Sequence, residues 1–317
     1  MEVSVGSHHR APMRPLVILG PTASGKSDVA MALALDDEMG LEVVAVDSMQ
    51  VYRGMDIGTA KPSAADRVEV RHHGVDLAEP SVDFTVSDYC AQITESLAEI
   101  RARSARPLFV AGTGLYLRAL TDPMELPGIW PEVRARWEMR AAGDGAQGLH
   151  AILAQRDPQA AAKMEPTNLR RIARALEVIE GSGRLFSSFG PGIDTYPAID
   201  HVMVGIRWER PALAARIVRR VERMVEHGLV DEVRGLLGSA VAMSRTARQA
   251  LGYKELIEHL EGDCSLDEAV ERIQVRTRQF AVRQERWFRR DPRIRWVDVR
   301  ENPLAEVLPV LRESAAR

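Results

Sequence analysis

The sequence predicts an α/β protein: a parallel β-sheet flanked by helices, with a mostly helical domain inserted into it. Three observations carry that expectation. Short, wholly apolar runs alternate with stretches of helical spacing, the pattern of strands buried on both faces and joined by helical crossovers. A glycine-rich turn, GPTASGKS, joins the first such run to the first helix. Between residues 122 and 200 the strand signal disappears, and it then returns.

The elements follow in order. Pro15–Gly20 (PLVILG) reads as a buried strand ending in glycine, and KSDVAMALALDDE after the turn reads as a helix. Leu41–Ser48 (LEVVAVDS) is a second strand that terminates in a carboxylate, Asp47. Because it follows the first helix directly, it is expected beside the first strand. Val86–Arg103 has helical spacing, and Pro107–Thr113 (PLFVAGT) makes a third strand. Pro131–Ala142, Gly148–Ala154 and Thr167–Glu180 are charged helical stretches separated by glycine and proline breaks. His201–Trp208 (HVMVGIRW) restores the strand pattern. Helices are expected around Pro211–Leu237, Arg245–Leu260 and Leu266–Arg290, and Arg293–Val299 is a last strand before a closing helix. The predicted organisation is a core of residues 12–121 and 201–317 with an insertion over 122–200. Right-handed crossovers would bring the informative strand ends to one edge of the sheet.

Composition sets the bounds. A chain of 317 residues, 45% hydrophobic and 27% charged, can bury a substantial core in one large domain or two smaller ones. A net charge of −3 does not advertise a nucleic-acid partner, so any basic surface must be local. Cys90 and Cys264 stand far apart without CxxC spacing and read as idle thiols in a reducing compartment. No apolar run approaches the roughly 20 residues of a membrane span. The leader MEVSVGSHHR lacks the apolar stretch of a signal peptide and reads as a disordered tail. A cytoplasmic monomer that does not engage a membrane is expected.

GPTASGKS fills the pattern GxxxxGK[ST] with Gly20, Gly25, Lys26 and Ser27, in the strand-to-helix setting that such a loop requires. Its inner residues Pro21, Thr22, Ala23 and Ser24 complete a cradle whose backbone N–H groups converge on one anion, reinforced by the positive end of the following helix. Lys26 adds a point charge, and the Ser27 hydroxyl is a ligand for Mg²⁺. The fold expected is therefore P-loop NTPase-like. The loop says that phosphate is bound and leaves open whose phosphate it is. Asp47, at a strand end on the substrate side, is placed to take a proton from an attacking group; the plainer alternative is that it caps a turn with Ser48.

Together with that loop, three further stretches carry a resemblance. VDSMQVYRGMDIGTAKP (Val46–Pro62), VAGTGLYLRAL (Val110–Leu120) and LGYKE (Leu251–Glu255) follow it in an order and spacing that resemble the bacterial tRNA dimethylallyltransferases, from about Pro15 to Trp296. The pairing of VDSMQVYRG with MDIGTAKP is the most specific part. The resemblance implies that the loop holds the diphosphate of dimethylallyl diphosphate rather than ATP. It implies transfer of a five-carbon group to N6 of the adenosine 3′ of the anticodon, tRNA position 37, in tRNAs reading codons that begin with U. Asp47 would be the base, while Lys26, the loop N–H groups, Thr22 and Mg²⁺ at Ser27 would stabilise the leaving diphosphate.

By the same resemblance Thr113 contacts the target nucleotide, and Arg134 reaches the tRNA and the reaction centre. The alternatives are a strand-end hydroxyl satisfying backbone and a solvated helix arginine. Arg216 and Arg220, four apart on one helix, are within reach of the diphosphate or form surface ion pairs. Contacts to the anticodon stem-loop are implied for Asp47, Ser48, Met49 and Gln50, for Arg170, Arg171 and Arg174, and for Gln249, Gly252, Tyr253 and Lys254. In the arginine-rich stretch Arg276–Arg290, Arg276, Phe280, Arg283 and Trp287 share a helix face suited to phosphates and splayed bases. The target base must leave its stack to be reached.

Departures are few. Ala111 stands where the pattern before LY usually has glycine, Val282 where a basic residue is usual, and Gln249 where some relatives carry arginine. His72 and His73 lack a third ligand at a sensible spacing and read as turn residues. Two other classes of function compete with the prenyltransferase: a small-molecule kinase with ATP in the loop, and an RNA-binding module whose loop is vestigial. The kinase would need an arginine-bearing lid, for which no clear signature exists. Intact Lys26, Ser27 and Asp47 speak against the vestigial loop.

Overall fold

A computed structural model describes residues 14–36, 39–190 and 192–316, so the leader lies outside the described residues. The strands are β1 (Leu16–Leu19), β2 (Leu41–Val46), β3 (His72–His73), β4 (Arg106–Ala111), β5 (Val202–Trp208) and β6 (Arg295–Val299). All pair in parallel in one sheet of order β3-β2-β4-β1-β5-β6. β1 and β2 are buried at every position, as strands with helices on both faces must be. The five strands read from the apolar runs are present. The short edge strand β3 replaces the turn expected at His72 and His73, with His73 Nε2 2.7 Å from the Glu42 carboxylate.

One expectation is corrected. β2 does not lie beside β1, because β4 is interposed and pairs with both. Leu19, Ala111 and Val46 occupy one row across the three strands. The residues that follow them, Gly20, Gly112 and Asp47, therefore leave the sheet side by side. Periodicity reports how a strand is buried but not which strand it adjoins, so the order was out of its reach.

The helices around the sheet are α1 (Lys26–Ala34), α2 (Ala64–Glu69), α3 (Val86–Ala102) and α4 (Gly114–Thr121), then α8 (Arg210–Glu226), α9 (Leu229–Leu237), α10 (Arg245–Arg248), α11 (Tyr253–Leu260), α12 (Leu266–Phe288) and α13 (Pro303–Ala316). Reciprocal caps start two of the long ones. Thr85 and Asp88 satisfy the first free N–H groups of α3, and Ser265 and Glu268 do the same for α12. The Pro211–Leu237 stretch is two helices rather than one, since Gly228 at φ 96° ends the run and begins α9.

The chain divides into two compact units, one ending at Thr121 and resuming at Ala198, the other Asp122–Pro197. The second contains α5 (Pro131–Arg156), α6 (Pro158–Ala162) and α7 (Leu169–Ser182) around its own core, where Trp137, Leu149, Leu153, Ile172 and Leu176 are buried. Its first helix is interrupted by a non-helical residue, Gly145, at φ 68° and ψ 175°. α7 presents Ile172, Ala175, Leu176 and Ile179 at helical spacing to that core. No described helix is long and apolar enough to cross a membrane.

Candidate active site

Gly112, Asp47 and the loop from Thr22 onward open onto a cleft of about 1550 Å³ lined entirely by the first unit. The GPTASGKS loop forms its floor. Three of the loop's carbonyls accept side-chain donors: Pro21 O accepts from Lys26 Nζ at 2.8 Å, Ala23 O from Arg216 Nε at 2.8 Å, and Ser24 O from Trp208 Nε1 at 3.0 Å. The Thr22 N–H is taken by Gln284 Oε1 at 2.9 Å and that of Ser24 by Pro21 O at 3.3 Å, which leaves the first N–H groups of α1, at Lys26 and Ser27, available to an anion. Arg216 is itself fixed by lying 4.5 Å over the Trp208 ring.

The loop needs its glycines. Gly25 sits at φ 91°, and a side-chain carbon there would come within 2.6 Å of Pro303. Ala23 adopts φ 61° without that freedom, so some strain is held at the centre of the loop. The Ser24 hydroxyl is buried without a hydrogen-bond partner.

The electrostatics suit an anion. Burial and the neighbouring Arg220 guanidinium press the Lys26 ammonium down to about 7, against the raising effect of Asp47. Burial also lowers Arg220, which Asp47 and Asp28 counteract. Two cations thus crowd a site that holds too little negative charge of its own, and a diphosphate would relieve both. The Ser27 hydroxyl is exposed at the start of α1 and lines the cleft. Among the described residues no cluster of three His, Cys, Asp or Glu side chains could hold a metal. A Mg²⁺ that keeps its waters and takes oxygens from a bound phosphate needs no such cluster, and one hydroxyl beside the cradle fits it.

Asp47 caps the turn, as weighed for it, and does so with only one of its two oxygens. Its Oδ1 accepts the N–H groups of Met49 at 2.8 Å and Gln50 at 3.3 Å, capping the turn that leaves β2. Its Oδ2 has no hydrogen-bond partner among the described residues and lies 3.2 Å from the point where a Gly112 side-chain carbon would sit. Thr113 accepts the Ser48 N–H at 3.2 Å through its hydroxyl, so it ties the β4 end to the turn beside Asp47.

The MDIGTAKP stretch proves to be a tightly braced turn. Glu232 of α9 accepts the N–H groups of Asp56, Ile57 and Gly58 at 3.0, 2.7 and 3.2 Å, and the Tyr253 hydroxyl at 2.6 Å. Lys61, its side chain fully buried, joins Asp56 at 2.6 Å and Asp76 at 2.7 Å. Gln50 Nε2 donates to the carbonyls of Thr59 and Ala60, so that side of its amide is engaged within the turn.

Several expected RNA contacts find other partners. Tyr253 is corrected as a side-chain contact: its ring is fully buried and its hydroxyl is held by Glu232. Trp287, half-buried, packs one part of its ring where a Gly114 side chain would be, 2.0 Å from that point. Arg276 pairs at 2.6 Å with Glu255, a carboxylate that also accepts the Gly252 N–H at 2.8 Å. Arg174 pairs at 2.6 Å with buried Glu177 and donates to the carbonyls of Pro127 and Gly128. Arg134 reaches Glu138 at 2.8 Å and Glu177 at 3.5 Å. Ser48, Met49, Gln249, Lys254 and Arg283 do line the cleft, with Arg283 resting 5.8 Å over the Phe280 ring. Arg170 and Arg171 are exposed on α7, in the second unit.

Trp208, Gln284 and Glu232 are the site residues that sequence reasoning missed. Gln284, buried on α12, accepts the Thr22 N–H at 2.9 Å and donates to Gly112 O at 2.8 Å. Trp208 had one usable signal, its place at the end of a strand whose C-terminus faces the same edge as the loop.

Fold and site together define a P-loop-like α/β enzyme, with an anion cradle on one strand and an open carboxylate two strands away. The family described as IPP transferase matches residues 50–291, and one described as isopentenyl transferase matches residues 13–73. The chain is 49% identical over 291 residues to a tRNA dimethylallyltransferase of Kineococcus radiotolerans, covering 90% of this chain and 91% of the relative. It is 47% identical over 289 residues to one of Streptomyces coelicolor, with coverage of 90% and 91%. A solved tRNA isopentenylpyrophosphate transferase from Bacillus halodurans superposes with a TM-score of 0.67 at 36% identity, over 96% of this chain and 97% of that one. A eukaryotic dimethylallyltransferase solved acting on tRNA gives 0.72 at 25% identity, over 90% of this chain and 73% of that one. The chain belongs to the tRNA dimethylallyltransferase (IPP transferase) family.

Proposed function

We propose that the protein transfers the dimethylallyl group of dimethylallyl diphosphate to N6 of adenosine 37, just 3′ of the anticodon, in tRNAs reading codons that begin with U. The product is N6-dimethylallyladenosine. One observation carries the reading: Gly20, Gly112 and Asp47 follow a single row of the sheet. At about 4.8 Å per strand, cradle and carboxylate stand about 10 Å apart. A base about 3 Å from an amine, and an amine about 3.3 Å from the carbon it attacks, fit in that interval with the leaving diphosphate beyond.

The chemistry divides between the two ends. The N6 lone pair is delocalised into the base, so the amine becomes acidic only as its bond to carbon forms. Asp47 Oδ2 then takes the proton, while the allylic C–O bond breaks and its electrons leave with diphosphate. Lys26, the first N–H groups of α1, the Thr22 hydroxyl and Arg220 meet that charge, and Arg216 holds the loop through Ala23 O. Mg²⁺ at Ser27 would neutralise diphosphate oxygens when bound. Thr113 steadies the nucleotide beside Asp47, and Arg134 contacts the tRNA. The anticodon stem-loop is gripped by Ser48, Met49, Gln249, Lys254 and Arg283 in the first unit and by Arg170 and Arg171 in the second. The enzyme acts in the cytoplasm as a monomer.

Labelled dimethylallyl diphosphate, Mg²⁺ and an unmodified tRNA test this, beside a parallel reaction with labelled ATP. Label should enter the RNA from the prenyl donor only, and replacing adenosine 37 should abolish it. Phosphoryl transfer from ATP without prenyl transfer would return the kinase to first place.

A further inference from the structure

Gln284 joins the two ends of the site through its one side chain. Its Oε1 accepts the N–H of Thr22 in the anion cradle at 2.9 Å, and its Nε2 donates to the carbonyl of Gly112 at 2.8 Å. The next residue, Thr113, accepts the Ser48 N–H at 3.2 Å, and Ser48 adjoins Asp47. An unbroken chain of polar contacts therefore crosses the three strands β1, β4 and β2 at their ends. Past the row of Leu19, Ala111 and Val46 the backbone still ties β4 to β2, since the N–H groups of Gly112 and Thr113 donate to Val46 O at 3.1 and 3.2 Å. Gln284 supplies the matching link from the β4 end to the loop that follows β1.

The interposed strand leaves cradle and carboxylate connected only through the β4 end. Neighbouring strands hold one another directly, but β1 and β2 do not pair. Gln284 Nε2 and Asp47 Oδ2 both approach the point of a Gly112 side-chain carbon, at 3.5 and 3.2 Å, so any side chain at 112 would intrude on both. The amide is 7% exposed and both of its ends are satisfied, which fixes its orientation. A carboxamide also suits the place chemically. It accepts and donates at once, and it adds no charge between a carboxylate and a diphosphate.

We infer that Gln284 is a positioning residue that sets the separation between the leaving-group cradle and the base, acting through Gly112, Thr113 and Ser48. The inference rests on the proposed prenyl transfer. It concerns the alignment of two reacting ends, and a misplacement of about 1 Å between them costs about 100-fold in rate. Binding of either substrate alone uses only one end and is affected less.

Three variants test it: Gln284→Met, which keeps the volume and removes both hydrogen bonds, Thr113→Val, and the double variant. The measurements are kcat and KM for dimethylallyl diphosphate, the Kd for unmodified tRNA, and the thermal midpoint. Gln284→Met is expected to lose about 10- to 100-fold in kcat while the tRNA Kd stays within about twofold and the protein remains folded. Residues acting as one unit are non-additive, so the double variant should fall little further than the worse single one. Wild-type kcat in Gln284→Met overturns the inference. So does a kcat loss that merely follows the folded fraction, or a double variant whose loss is the product of the two single losses. If the wild-type protein itself transfers no label to tRNA, the proposed function fails, a result separate from any difference among the variants.

Discussion

A side-chain carbon on Gly58 would lie 2.5 Å from the ring of Tyr253. The contact locks the MDIGTAKP turn against the first residue of α11, and Glu232 fastens the same two segments from a third side. Two sequence stretches about 190 residues apart are thus halves of one joint in the cleft wall. Tyr253 is fully buried and its ring is rigid, so it cannot yield by changing rotamer. Gly58→Ala should destabilise the fold by about 1–3 kcal/mol through overpacking. A urea melt with an unchanged midpoint would show that the joint is looser than described.

Glu232 makes a second, separable prediction. Its carboxylate satisfies three consecutive N–H groups and a phenol whose acidity is suppressed, first by burial and then by this same carboxylate. Glu232→Ala leaves those donors to water or to nothing. Since the residue is only half-buried, a loss of about 1–2 kcal/mol is expected. Glu232→Gln keeps one acceptor oxygen and should lose less. Thermal midpoints ordered wild type, Gln, Ala would bear this out; Gln falling below Ala would contradict it.

Asp47 offers a cleaner separation of structure from chemistry. Oδ1 caps the turn by accepting from Met49 and Gln50, while Oδ2 stands open. Asn retains an oxygen for the cap and cannot act as a base. Asp47→Asn should therefore fold with near wild-type stability and lose about 10²–10⁴ in kcat. Asp47→Ala should lose comparable activity and, in addition, about 1 kcal/mol of stability from the missing cap. Single-turnover assays paired with denaturant melts measure the two effects independently. Equal activity in Asp47→Asn and wild type would remove Asp47 from the chemistry.

The contrast between Lys26 and Gln284 marks how far the sequence could be read. The cradle was legible because its geometry is written in eight consecutive residues, and the strands were legible because double-sided burial demands apolar runs. Asp47 was found because it ends such a run. Gln284 meets Thr22 across 262 positions, on a helix whose arginines drew attention to its other face. The packing of Trp287 on Gly114 was hidden for the same reason, since an aromatic at helical spacing looks alike whatever glycine it meets. Strand order, the source of the site's width, depends on crossovers that no local window contains.

Lys26 makes binding of the donor sensitive to pH. In the free protein, burial and Arg220 hold its ammonium at about 7, so at pH 8 a large share of the molecules carry it neutral. A bound diphosphate stabilises the charged form and raises this value again, which means that binding draws in a proton above pH 7. The sign follows: from this group, affinity is flat below pH 7 and falls as pH rises above it, by at most about tenfold per unit. The free fold shows the opposite trend. Lys26 titrates lower in the native chain than in the unfolded one, so its contribution to stability rises between pH 7 and about 10.5. Calorimetric titration of diphosphate at pH 8.5, in two buffers of different ionisation enthalpy, should reveal proton uptake. Lys26→Arg, always charged, should abolish it. Lys26→Ala should lose about 100-fold or more in kcat. Proton uptake persisting unchanged in Lys26→Arg would assign the titration to another group and leave Lys26 a permanently charged member of the cradle.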